Sequence, residues 1–366
     1  MEVRGSRFES VSKKFNENFK EEKKIEVNQR KCATSLVRLI KRRYNYPKEK
    51  KSVTSKPMKS HEFKYEFMSQ GPIFLTAAHS AMLLRGHGIE DDETRIHWRE
   101  QWVSYIILRL SYFLNKIHEQ RKKSKLKAAK VASWKKICSF MVWSKYKEYS
   151  HDDIDPNYCT REMYGKSHFY KALRKWLAAV DPDEIPFHID IHGRLNQKKA
   201  RGINVGIDPL FEEWPYKDPN HKFAKELKTK TENLIDNAFD GVKVDGFKVN
   251  WQRKHGLTAY WCEEIHTMAH QATILGIPSF QLEIPRSVRK LLGKDDILME
   301  KFATQIYDFY QNTICKMWKK YELTLSQEPY IFDDIVNLYK DADTSLLKTL
   351  SKEYQLWEKV ADDKVI

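Results

Sequence analysis

Three short, nearly continuous apolar runs constrain this chain more than anything else in it. Ile73-Phe-Leu-Thr-Ala-Ala leads into His79, Ile185-Pro-Phe-His-Ile-Asp-Ile leads into His192, and Pro278-Ser-Phe-Gln-Leu leads into Glu283. Runs of this length bounded by turn residues suit strands buried on both faces. Stretches of helical periodicity separate them. Trp98, Trp102, Ile106, Leu110 and Phe113 recur at three to four residues within Arg95–Glu119, and helices are also expected over Phe223–Asn237 and Glu263–Leu275, the last closed by Gly276. Val242–Val249 reads as a strand or hairpin, and the chain from Ile297 on is mostly helical in pattern. Strands alternating with helices predict an α/β fold with a mixed, largely parallel central sheet flanked by helices. In such sheets ligands collect beyond the carboxyl ends of the strands.

The 366 residues are 41% hydrophobic and 13% aromatic, enough for a sizeable core and too apolar for disorder throughout. The formal charge of +15 is unevenly placed: residues 1–70 hold 19 Lys+Arg against 9 Asp+Glu. Residues 1–68 therefore read as a basic, helical or disordered extension, and 69–366 as the catalytic domain, with a helical, basic insertion around 121–181. A basic extension can attract nucleic acid, an anionic membrane or an acidic protein. Trp102–Leu114, broken by Ser104 and Arg109, is too short for a membrane span, and Met1–Ser10 lacks the apolar run of a secretory signal. The five cysteines are scattered, with no CxxC pair, which fits a reducing, cytoplasmic setting. No P-loop, GxGxxG or GxSxG signature is present.

Each of the three runs ends in a reactive group, and neighbouring parallel strands would bring those ends together. Alternation places Asp190 and His192 on one side of their strand, with Ile189 and Ile191 on the other. It likewise puts Gln281 and Glu283 on one face. Two histidines and a carboxylate, with a position left for water, are a common set for catalytic zinc. His79 and His192 are the expected ligands of one Zn2+ ion, completed by a carboxylate from Glu90–Glu93 or by Asp190. Glu283 is the expected general base. Arg286 and Arg194 are expected to hold a substrate carboxylate through paired hydrogen bonds, and Gln281 and His270 to line the cleft. Glu263, His266 and His270 form a rival set, but Cys262-Glu-Glu-Ile-His-Thr-Met-Ala-His lacks the Glu that follows the first His in HExxH zinc sites.

The ordered blocks Gly71-Pro-Ile-Phe-Leu-Thr-Ala-Ala-His79-Ser, Ile189-Asp-Ile-His192-Gly, Gly246-Phe and Gly276-Ile-Pro-Ser-Phe-Gln-Leu-Glu283-Ile-Pro-Arg286 resemble the N-formylglutamate amidohydrolase family, whose fold is similar to that of zinc carboxypeptidases and deacylases. The likeness spans roughly residues 71–292. It implies metal ligation by His79 and His192, a catalytic carboxylate at Glu283 and a substrate contact at Arg286. Ala78 stands where the family usually has Pro. Met82 stands where zinc carboxypeptidases place an acidic ligand. The third ligand is then expected further on, at Asp91 or Asp92, with Asp190 orienting a histidine from behind. The implied activity is hydrolysis of an amide in a carboxylate-bearing N-acyl amino acid or peptide. The alternative is a non-catalytic binding module of the same fold, recruited to its partner by the basic extension.

Overall fold

The computed structural model describes residues 65–68, 71–80, 83–85, 95–97, 100–125, 136–143, 155–196, 202–214, 220–252, 257–260 and 263–326. All of them belong to one compact unit, 57–366. The elements run β1 (Tyr65–Met68), β2 (Ile73–Ala77), β3 (Leu83–Arg85), β4 (Arg95–His97), α1 (Val103–Lys125), β5 (Cys138–Trp143), α2 (His168–Ala179), β6 (Phe187–Arg194), β7 (Ile203–Gly206), α3 (Pro209–Glu212) and α4 (Lys222–Ala238). They continue through β8 (Lys243–Val244), β9 (Phe247–Lys248), β10 (Trp251–Gln252), α5 (Met268–Ile274), β11 (Ser279–Pro285), α6 (Arg286–Lys294), α7 (Asp296–Phe309) and, after a π turn, α8 (Cys315–Lys320).

Among the described residues the central sheet has seven strands in the order β1-β5-β2-β6-β11-β7-β10. β5, β2, β6 and β11 are mutually parallel, while β1 and β7 run against their neighbours β5 and β11. The fold is thus the mixed, largely parallel sheet expected from the sequence, with helices on both sides. From β2 the chain passes through α1 to β5 on one side, then through α2 to β6 on the other. The sheet order therefore reverses at β2, and the crevice beyond its carboxyl end is a natural ligand site.

Alternation gives the sheet two unlike faces. Ile73, Leu75, Ala77, Phe187, Ile189, Ile191, Phe280, Leu282 and Ile284 point into one large core together with α1, α4 and α7. The opposite face carries Phe74 and Ala78 into a second core under α2 and α5. Along β6 and β11 that same face is polar: His188, Asp190, His192, Ser279, Gln281 and Glu283 are all buried.

The first expected helix forms later and ends later than its periodicity suggests. Arg95–His97 pairs with Leu83–Arg85 as a strand, and α1 occupies Val103–Lys125. The helix expected from Glu263 starts only at Met268, because the Thr267 side chain caps it by accepting from His270 N–H, and His266 is engaged in a β-bridge. Gly276 follows α5 at φ 79°, a left-handed conformation that suits glycine. Two strands fall in stretches read as something else. β1 lies within the stretch assigned to the extension. β5, Cys-Ser-Phe-Met-Val-Trp, lies in the expected insertion, yet it is buried on both faces between β1 and β2. The basic residues around it hide an apolar run that meets every criterion for a central strand. The remainder of the basic extension lies outside the described residues.

Phe187 packs its ring within 5.5–6.3 Å of Phe280, Phe309 and Tyr310. Truncating it leaves a cavity between sheet and helix. Phe187→Ala is expected to lose about 3–5 kcal/mol of stability in urea denaturation. A loss below about 1 kcal/mol would contradict this packing.

Candidate metal centre

His79 sits just past β2, where the strand gives way to a turn, and His192 lies near the end of β6. Glu100 completes a group with them. One ligand atom from each of the three residues lies within 4.8 Å of the others. His79 Nδ1 is 3.3 Å from Glu100 Oε1, and His192 Nδ1 is 3.2 Å from Glu100 Oε2. A tetrahedron with metal–ligand bonds of about 2.0–2.1 Å has edges of about 3.3 Å; Glu100 Oε1, 3.3 Å from His79 Nδ1 and 3.4 Å from His192 Nδ1, matches two such edges.

The far side of each ring is held by a carboxylate. His79 Nε2 donates to Asp155 Oδ1 at 2.8 Å, and His192 Nε2 donates to Asp190 Oδ2 at 2.8 Å. With each Nε2 tied to its carboxylate, Nδ1 is the ring atom turned toward Glu100. This carboxylate–histidine arrangement fixes tautomer and ring angle at metal sites. Asn157 Nδ2 also lies 2.8 Å from His192 Nε2. Its Oδ1 accepts from Met268 N–H.

Glu100 is clamped by the backbone. Its N–H donates to His79 O at 2.9 Å, and its Oε2 accepts from Gly193 N–H at 2.7 Å. A Cβ at Gly193 would lie 0.9 Å from Arg289 Nη1, so a larger residue there requires the Arg289 side chain to move. Burial penalises the charge on Glu100, but His192 and His79 outweigh it and hold its carboxyl well below the usual range. For His192, burial opposes protonation and is outweighed by Asp190 and Glu100, which carry it well above the ordinary histidine value. His79 is raised in the same sense, burial being outweighed by Asp155 and Glu100. Without a cation, the carboxylates around the two rings favour their protonated forms.

Glu283 pairs in register with His192 on one side and with Asn204 of β7 on the other. Three polar residues thus stand in a row across neighbouring strands, roughly 5 Å apart per strand. Gln281 Nε2 donates to Glu283 Oε1 at 2.9 Å. Arg194 donates to Gly202 O. Burial draws its guanidinium below the ordinary arginine value, against the pull of Glu283. Arg194 Nε and Nη1, Arg286 Nε and Gln281 Oε1 are buried and have no hydrogen-bond partner among the described residues.

The structure thus brings His79, His192 and Asp190 together and sets Glu283 beside His192. Asp91 and Asp92 lie outside the described residues, and Glu100 fills the acidic position in the cluster. No local signal marks Glu100, a single acid between two tryptophans in a helical pattern. Asp190 stands behind His192, not beside Nδ1. His270 is buried on α5 with both ring nitrogens unpartnered among the described residues, and burial pushes its pKa down to about 3. Its neighbours are His266 and Tyr260, at ring distances of 4.2 and 5.1 Å. In the rival set both ring nitrogens of His266 are engaged within the fold: Nδ1 bonds Tyr164 Oη, and Nε2 donates to Glu263 O at 2.7 Å.

No known family profile matches the chain, and no curated protein does. Among solved structures it is similar to YndL in its zinc-free form, at 13% identity and a TM-score of 0.30, covering 70% of this chain and 93% of that one. It is also similar to a metallo-carboxypeptidase from Burkholderia cenocepacia, at 12% identity and a TM-score of 0.35, covering 66% of this chain and 58% of that one. At these scores neither alignment bears on the site, which rests on its own geometry.

Because Asp155, Asp190 and Glu100 favour protonation of the two rings, a cation competes with protons for their Nδ1 atoms. Zinc binding is expected to release protons, and affinity to fall as the pH is lowered. Calorimetric titration in buffers of different ionisation heat measures the number. Release of no proton would contradict the ligand assignment.

Proposed function

We propose that this protein is a zinc-dependent amidohydrolase acting on a carboxylate-bearing N-acyl amino acid or peptide. The observation that carries the reading is the His79–Glu100–His192 group, each histidine braced by its own carboxylate, with Glu283 in register beside it. When bound there, a zinc ion supplies Lewis acidity, making nearby water more acidic and polarising a carbonyl oxygen. The residues of the chain do the rest. Glu283 accepts a proton from the attacking water and returns it to the departing amine. Gln281 holds that carboxylate in place through the bond at Oε1. The unpartnered N–H groups of Arg194 and Arg286 give a substrate carboxylate its counter-charge and a two-pronged partner. His270, kept neutral by burial, can only line the site or share a hydrogen bond. No helix among the described residues is long and apolar enough to cross a membrane.

Activity of the zinc-loaded protein on a panel of N-formyl and longer N-acyl amino acids, with dipeptides alongside, tests the reading. Glu283→Gln is expected to lower kcat by about 10²–10⁴-fold while zinc stoichiometry stays unchanged. No turnover of any amide in the panel, or an unaffected Glu283→Gln variant, would overturn it.

A further inference from the structure

Thr76, His188 and Ser279 take no part in the chemistry above, yet they are almost completely buried on the polar face of the sheet. Their positions follow from strand register. Thr76 lies opposite Asp190, and Ser279 lies opposite His188. Ser279 Oγ is 2.7 Å from His188 Nδ1, His188 Nε2 is 2.9 Å from Thr76 Oγ1, and Thr76 Oγ1 is 2.7 Å from Asp190 Oδ1. Asp190 Oδ2 in turn meets His192 Nε2. Polar side chains in such a place are costly unless each hydrogen bond is made.

The proton positions are forced in sequence. An ionised Asp190 has only acceptors, so the Thr76 hydroxyl donates to it. That hydroxyl has no second proton, so it accepts from His188 Nε2–H. A neutral imidazole protonated at Nε2 has a lone pair at Nδ1, which accepts from Ser279 O–H. Burial favours the neutral ring, pushing His188 down to about 4 against the pull of Asp190. Every donor in the chain therefore points toward Asp190, and none can turn round without leaving a buried group unpaired.

We propose that Ser279, His188 and Thr76 form a one-directional hydrogen-bond relay whose task is to hold Asp190 as an oriented anion behind His192. They are positioning residues. By fixing Asp190 they keep the His192 proton at Nε2 and its Nδ1 lone pair available to the cation, and they strengthen that ligand. The relay rests on the metal-site reading and extends it three residues back into the sheet.

Thr76→Val removes the hydroxyl at nearly constant shape, and Thr76→Ser retains it. Zinc affinity, measured by chelator competition, is expected to fall about 10–100-fold in Thr76→Val and to return to within about threefold of the parent in Thr76→Ser. Ser279→Ala, at the far end, is expected to weaken binding less. Thermal unfolding of each metal-free variant checks that it is folded. Nitrogen-15 NMR of the histidines in the parent protein is expected to show His188 neutral and protonated at Nε2. Unchanged zinc affinity in a folded Thr76→Val variant would overturn the relay, as would equal losses in Val and Ser or a His188 proton at Nδ1. If the parent protein itself binds no zinc, the metal reading has failed, and the His188 tautomer still decides the relay's direction.

Discussion

The Glu100 carboxylate is the interaction on which the carboxyl end of the sheet depends. It faces His79 from β2 and His192 from β6, and it accepts the N–H of Gly193 at the strand's end. Its own N–H is tied to His79 O. One side chain thus connects the crevice at the sheet's switch point to the segment that leads into α1. Removing the negative charge would leave two buried rings, each backed by a carboxylate, with nothing between them. A divalent cation resolves the same electrostatic problem differently, by competing with protons for the two Nδ1 atoms. That competition is why a protonated, ion-paired cluster and a metal site can share one set of atoms.

The contrast between the faces of β6 and β11 explains how such a group is tolerated. Isoleucine, leucine and phenylalanine on one face anchor both strands in the main core. That anchoring fixes the height and direction of the polar residues on the other face. Side-chain positions are then set by backbone register, with His192, Glu283 and Asn204 level across three strands and Thr76, Asp190 and Gln281 level in the row beneath. Rigid strands suit a site in which small displacements disturb ligand geometry.

Much of this was legible in the residues. The runs ending at His79, His192 and Glu283 stand out because reactive groups interrupt otherwise apolar strands. The two-residue spacing of Asp190 and His192 places them on one side of the strand. Glu100 was not legible, because its function comes from a backbone contact with His79 and from the place where α1 begins, neither of which leaves a local pattern. The expectation at Asp91 or Asp92 came from Met82 standing at the usual acidic position, and both residues lie outside the described ones. β5 was obscured for a different reason: its largely apolar six residues lie between basic stretches whose charge dominates any window drawn around them. The relay through Thr76 and His188 depends on cross-strand register, which periodicity within a single strand does not specify.

The central claim is that His79, Glu100 and His192 together ligate one metal ion. An anomalous difference map from crystals grown with zinc tests it most directly. The expected result is a single strong peak about 2.0–2.1 Å from Nδ1 of both histidines and about 2.0–2.2 Å from a Glu100 oxygen. A peak ligated through Nε2 of either ring, a peak elsewhere that omits Glu100, or no peak at this cluster would contradict the account.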